Sequence, residues 1–212
     1  MKQLLLLIPV LIFLMNCATT KYQGFYNLNL KEVEVPQNVE EKYGKSKIVN
    51  LEEEGNTKYS YEDDLIKIVW LPLSDKFAFT LANKTSYTIK IIWDEAVYVD
   101  NNNSIGRIMH SGVKYVDKNN SQIPSIIIKN GIIEDAIIPT DNIYYQSGQY
   151  GGGWKVNPIF KNKADSQEEL NILSKKNIGK EVKIVLPLKI QETINEYIFT
   201  FKVKDFTQVT YH

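Results

Sequence analysis

The chain has 212 residues, with 25 Lys plus Arg against 25 Asp plus Glu and a formal net charge of zero. That balance leaves no basic footprint for nucleic acid and no polybasic segment for anionic lipid. One cysteine excludes an internal disulfide, and two histidines are too few for a zinc site, so neither a metal nor a cofactor is expected.

The first seventeen residues have an order of their own. Lys2 is followed by an uncharged run from Gln3 to Asn16, and then by Cys17. The apolar stretch Leu4 to Met15 is short for a bilayer, which needs about 20 apolar residues in a helix, and Pro9 interrupts it. It has the length of a signal-peptide apolar region with a basic start. The closing residues Leu14-Met15-Asn16-Cys17 resemble the lipobox of bacterial lipoproteins. The resemblance implies a signal peptide over 1–16 and a membrane anchor through lipid on Cys17. Ala18 stands where inner-membrane lipoproteins of enteric bacteria carry Asp, which implies an outer-membrane destination if the organism has one.

Residues 17–60 are polar and poorly periodic, apart from a brief alternation over Lys31 to Pro36. They read as a lipidated N-terminus and a flexible tether, with a reach on the order of 35 Å. The ordered domain is expected over 61–212. Ile66, Ile68 and Trp70 share one face of a strand, as do Phe77, Phe79 and Leu81 in the next. Tyr87 to Val99 reads as one long strand whose apolar odd positions are interrupted by Glu95, which predicts a bulge near Asp94-Glu95.

Turn-rich segments follow. Ile105 to His110 and Val113 to Val116 read as short strands around Ser111-Gly112. Ser125 to Ile128 and Ile132 to Ile138 flank Asn130-Gly131, a strong hairpin signal. Residues 146–155 read as a flexible Gly-rich loop. Ser166 with Glu169 forms a capping box for the one helix, with Leu170, Leu173 and Ile172 on its buried side. Val182 to Ile190 and Phe199 to Val203 alternate around a turn at Glu192–Asn195, and Pro187 marks an edge or a break in the ladder.

Short strands at this spacing predict an all-β antiparallel β-sandwich with one short helix. The stretch Phe77 to Thr85, followed by Ile89-Lys90-Ile91, is similar to the opening of immunoglobulin-like domains of bacterial lipoproteins. That similarity implies an immunoglobulin-like sandwich, and it covers about fifteen residues.

Catalytic chemistry has few candidates. His110 precedes Ser111 directly, and neighbours on a strand point to opposite faces, so they are poor partners for a relay. No G-x-S-x-G elbow is present, and Gly151-Gly152-Gly153 lacks the residues of a phosphate loop. Asp100 to Gly106 departs from a calcium loop in the place of its glycine. Asp94-Glu95 and Glu134-Asp135 are the adjacent carboxylates. The expectation is a non-enzymatic envelope module, binding or structural, whose partner is another envelope protein or a glycan; the alternatives are a carbohydrate- or cell-wall-binding module and, last, a hydrolase. Tyr144, Tyr145, Tyr150 and Trp154 around the Gly-rich loop are the candidate ligand residues, since amphipathic rings suit ligand faces.

Overall fold

The computed structural model describes residues 22–35, 47–53, 56–149 and 151–209. From the N-terminus its strands are β1 (Tyr22–Glu34), β2 (Lys47–Glu53), β3 (Asn56–Glu62), β4 (Ile66–Pro72) and β5 (Phe77–Asn83). Then come β6 (Ile89–Ile91), β7 (Val97–Val99), β8 (Ile105–His110), β9 (Ser125–Ile127) and β10 (Ile132–Pro139). The remainder are β11 (Ile143–Gln146), β12 (Gly153–Val156), β13 (Lys163–Ala164), helix α1 (Gln167–Asn177), β14 (Glu181–Ile190) and β15 (Thr193–Gln208). In β4 and β5 every second side chain is buried, which aims Ile66, Ile68, Trp70, Phe77, Phe79 and Leu81 at the core.

All pairings are antiparallel, and the main sheet curls into two facing layers. One layer runs β13-β1-β15-β14, and β6 and β7 lie end to end along the free side of β14. The other runs β2-β3-β4-β5-β10-β8, and the β7–β8 pairing joins the two. The inner faces meet through aromatic rings. Trp70 packs edge-on against Phe199 and Phe201 with centroids 5.0 and 5.5 Å away, and Tyr61 meets Phe199 at 6.1 Å. Such pairs add specific geometry to a large apolar burial. The protein is therefore an all-β, sandwich-like fold with one short helix. Ser166 caps α1 by accepting from the Glu169 amide at 3.1 Å, and Asn177 holds the other end by donating to the Tyr26 hydroxyl at 2.9 Å. Leu170 is buried under the helix, whereas Ile172, expected beside it, is exposed.

Two expected residues, Cys17 and Tyr150, lie outside the described residues. Several other expectations are corrected. Within the expected tether over 17–60, Tyr22–Glu34, Lys47–Glu53 and Asn56–Glu62 are sheet: β1 pairs with β15 from Gly24↔Gln208 to Glu34↔Ile198, and β2 and β3 extend the other layer. Leu28 and Leu30 of β1 are core residues, so the folded domain includes Tyr22–Glu34, well ahead of residue 61. The strand escapes notice because register shifts at Asn27/Leu28 and Leu30/Glu32 break its period of two.

The long strand over Tyr87 to Val99 is interrupted where Glu95 predicted it. Residues 93–95 form a turn, closed by the Glu95 amide on the Ile92 carbonyl at 3.2 Å. The turn reverses the inward parity, so Tyr98 is buried while Val97 and Val99 are only partly so. Pro187 sits opposite this gap: β6 pairs up to Leu188 and β7 from Val185, so its missing N–H faces no regular rung there. Asn130-Gly131 does make a tight turn, with the Gly131 amide on the Ile128 carbonyl at 2.8 Å. It does not make a hairpin, because β9 pairs with β6 while β10 pairs with β5 and β8. Asn83, buried in β5, binds this crossover by donating to the carbonyl of Ile127 at 3.0 Å. Val113 to Val116 is not a strand; Tyr115–Asp117 is a 3-10 turn.

Candidate functional site

Strands β8 and β10 carry side chains that matter on both faces. Ile108, His110, Asp135 and Ile137 point inward, while Met109, Ala136 and Ile138 point outward. On the inward side, at the ends of the strands, His110 Nδ1 lies 2.9 Å from Asp135 Oδ2. An ionised carboxylate only accepts, which places the proton on Nδ1. The imidazole stacks on Trp93 with centroids 4.6 Å apart and planes 4° from parallel. Trp93 in turn donates from its indole to Ser125 Oγ at 2.9 Å.

The other oxygen of Asp135 receives Ser111 N at 3.0 Å, Ser111 Oγ at 2.6 Å and Ala136 N at 2.7 Å. Burial pushes this carboxyl up, but the hydrogen bonds from His110, Ser111 and Ala136 outweigh it and hold it below its ordinary value of 3.8. Strand β8 ends at His110, so Ser111 lies in a turn, and the alternation that would separate the two side chains no longer applies. They converge, but on Asp135. The serine hydroxyl donates to the acid and not to the imidazole, so the order of a Ser-His-acid relay is not formed. Gly112 completes the turn under the imidazole, where a Cβ would come within 2.7 Å of the His110 ring.

On the outward side, β11 and β12 form a separate two-stranded hairpin over β8 and β10. Its base rung, Ile143 with Val156, packs on Met109 and Ile138. Two rungs on, Tyr145 pairs with Trp154, and Trp154 lines a groove of about 510 Å³ whose floor is Met109, Ala136 and Ile138. The opposite wall is the segment Val113 to Val116, and Lys76 and Lys114 stand in the lining. Lys118 ties the two walls together, donating from Nζ to the carbonyls of Thr140, at 2.7 Å, and Ile143 at the base of the hairpin.

The predicted ring residues divide between places. Tyr145 and Trp154 are neighbours at 5.6 Å with planes 76° apart, and they are 57% and 37% exposed. Tyr144 points to the other side of the hairpin, into a second depression lined by Asp75, Asn157, Lys161 and Asn162. Of the described rings only Trp154 therefore lines the groove, with Tyr145 beside it. Gly152 lets the chain pass over the Tyr145 ring, because a Cβ there would sit 2.3 Å from its hydroxyl.

The remaining candidates are held by local partners. Asp94 accepts from Arg107 at 3.1 Å and from the Gln122 amide at 3.0 Å, and neighbouring Glu95 takes no part in that contact. Asp100 accepts from the amides of Asn102 and Ser104, both at 2.8 Å, which is a satisfied turn. Among the described residues no cluster of three metal-ligating side chains occurs, and no helix is long and apolar enough to cross a membrane.

The groove floor and its lysines were missed from the sequence. One signal was present: Ile108-Met109 and Ala136-Ile137-Ile138 are apolar at consecutive positions, and a strand needs this only when both faces are covered. Compared with family models, with curated proteins and with solved structures, the chain finds no match.

Proposed function

We propose that this chain is a lipid-anchored cell-envelope protein whose β-sandwich works as a non-catalytic binding module, with the β11–β12 hairpin and the groove beneath it as the ligand face. The anchor rests on the order Leu14-Met15-Asn16-Cys17, and Ala18 directs it to the outer membrane where there is one. One observation carries the ligand face. The partly exposed Trp154 ring lines a groove that the domain's own core does not fill, and the exposed Tyr145 ring stands beside it. Rings on a rigid element at the rim of a concave apolar site are a common arrangement for ligand capture. The 76° angle between them and the displacement of Tyr144 weigh against a flat glycan platform. For the non-catalytic reading, the support is the serine hydroxyl spent on Asp135.

The test uses the chain from residue 17 with Cys17→Ser, which keeps every described residue. Tyr145→Ala with Trp154→Ala should abolish binding of envelope-derived ligands while leaving the thermal midpoint within a few degrees. Undiminished binding by that double variant would remove the hairpin as the ligand face. A hydrolytic activity lost with His110→Ala would overturn the non-catalytic reading.

A further inference from the structure

Resting on that ligand face, we infer that the groove under the hairpin takes a single-chain anionic amphiphile, a long-chain carboxylate whose hydrocarbon lies along Met109, Ala136 and Ile138 and whose acid meets Lys76 and Lys114. The floor is the first part of the case. Its side chains are apolar and contribute no hydrogen-bonding group, and the wall adds Val113, Val116 and the Trp154 ring. A sugar needs planar amide or carboxylate partners for its hydroxyls, and no Asn, Gln, Asp or Glu lines the groove. Of the two hydroxyls in the lining, those of Ser111 and Tyr115, Ser111 Oγ already donates to Asp135.

Charge is the second part. Lys76 and Lys114 bring two ammonium groups to the groove, and no carboxylate lines it. Among the described residues neither ammonium has an ion-pair partner, in contrast to Lys84, which pairs with Glu62 at 2.8 Å, and Lys31, which pairs with Glu181 at 3.0 Å. In a chain of zero net charge, two unpaired cations beside an apolar trough select an anion with an apolar body. Size is the third part. A volume of about 510 Å³ lies in the lower half of the range for small-molecule sites and suits one acyl chain better than a two-chain lipid. The walls are also held in place, one by the Asp135–Ser111 turn and both by Lys118, so the trough needs little ordering on binding.

The experiment reads Trp154. Of the three tryptophans, Trp70 and Trp93 are 0% and 1% exposed, so acrylamide quenching of indole fluorescence reports on Trp154, at 37%. The chain from residue 17 with Cys17→Ser is titrated with dodecanoate, dodecyltrimethylammonium and dodecyl phosphate, each below its micelle concentration. Dodecanoate should protect Trp154 saturably, the cation should not, and Lys76→Gln with Lys114→Gln should raise the dodecanoate Kd about tenfold, as loss of two partly exposed ion pairs predicts. Val113→Trp, a groove-filling change in a loop, should abolish the protection. Equal binding of the cationic amphiphile, an unchanged Kd in the lysine variant, or preference for dodecyl phosphate over dodecanoate would overturn the carboxylate. Protection by a wall glycan and by none of the three amphiphiles would overturn the ligand class and leave the hairpin as a binding face. Protection by no ligand of any class would remove both.

Discussion

Asp135→Ala tests the arrangement that holds the turn beneath the groove. The Asp135 side chain is 6% exposed and its partner His110 is 15% exposed, so neither can be rehydrated freely in the folded state. Removing the carboxylate strands four donors: His110 Nδ1, Ser111 N, Ser111 Oγ and Ala136 N. Ser111 is exposed and water can replace its partner, so the lasting cost falls on His110 and Ala136. A buried donor left without a partner costs about 1–3 kcal/mol, and the two together put the loss at about 3 kcal/mol. With a urea slope of about 2 kcal/mol per molar, the unfolding midpoint should fall by roughly 1.5 M. Asp135→Asn, which keeps the shape and one acceptor, should lose less. The pH dependence gives a second readout. The folded carboxyl titrates below its ordinary value of 3.8, so its stabilisation is complete above that value and is lost as pH falls through the lower folded one. The gap between native protein and Asp135→Ala should therefore close in acid. A midpoint within 0.2 M (~0.4 kcal/mol) of native at neutral pH would refute the reasoning.

Three further outcomes follow from the same structure and a fourth from the order Leu14-Met15-Asn16-Cys17. Phe79→Ala should cost about 3–5 kcal/mol in chemical denaturation, because Phe79 is buried and packs at 5.1 Å against Trp70. Deleting residues 1–35 should melt or aggregate the domain, since β1 covers β15 and each of Leu28 and Leu30 contributes about 1.5–3 kcal/mol of burial; circular dichroism against the chain from residue 17 decides it. Burial, with a smaller contribution from Asp100, raises the Tyr98 phenol above 10.0, so stability that is complete below that pH should decline as pH rises past it, and Tyr98→Phe should flatten the decline in thermal melts. Cys17→Ser should remove lipid labelling and release the protein from the membrane fraction, and normal retention of the variant would count against the anchor.

How much of this was legible in the chain depended on whether the deciding physics is local. Alternation in β4, β5, β14 and β15 names the buried face of each strand, because the side-chain period is fixed at two. The cap of α1 and the interruption near Glu95 are equally local, as they follow from a hydroxyl three residues before a free amide and from one charge on an apolar face. Pattern does not name a partner. The pairing of β1 with β15 joins Phe25 to Thr207, and only closure of the whole sheet decides it. The Asn130-Gly131 turn shows the same limit. Its tight geometry follows from two residues, yet whether the strands beside it pair depends on what β6 and β5 offer them. The site lies furthest from the local signal. His110 and Asp135 are 25 residues apart and meet through the β8–β10 register, and the groove forms because a hairpin folds back over the outer face of those two strands. The rings near the Gly-rich loop were legible in the chain, whereas the floor and the two lysines were not. That Trp154, Lys76 and Lys114 share one cavity while Tyr144 lines another was decided only by the fold, because which side chains surround a cavity is set by non-local packing.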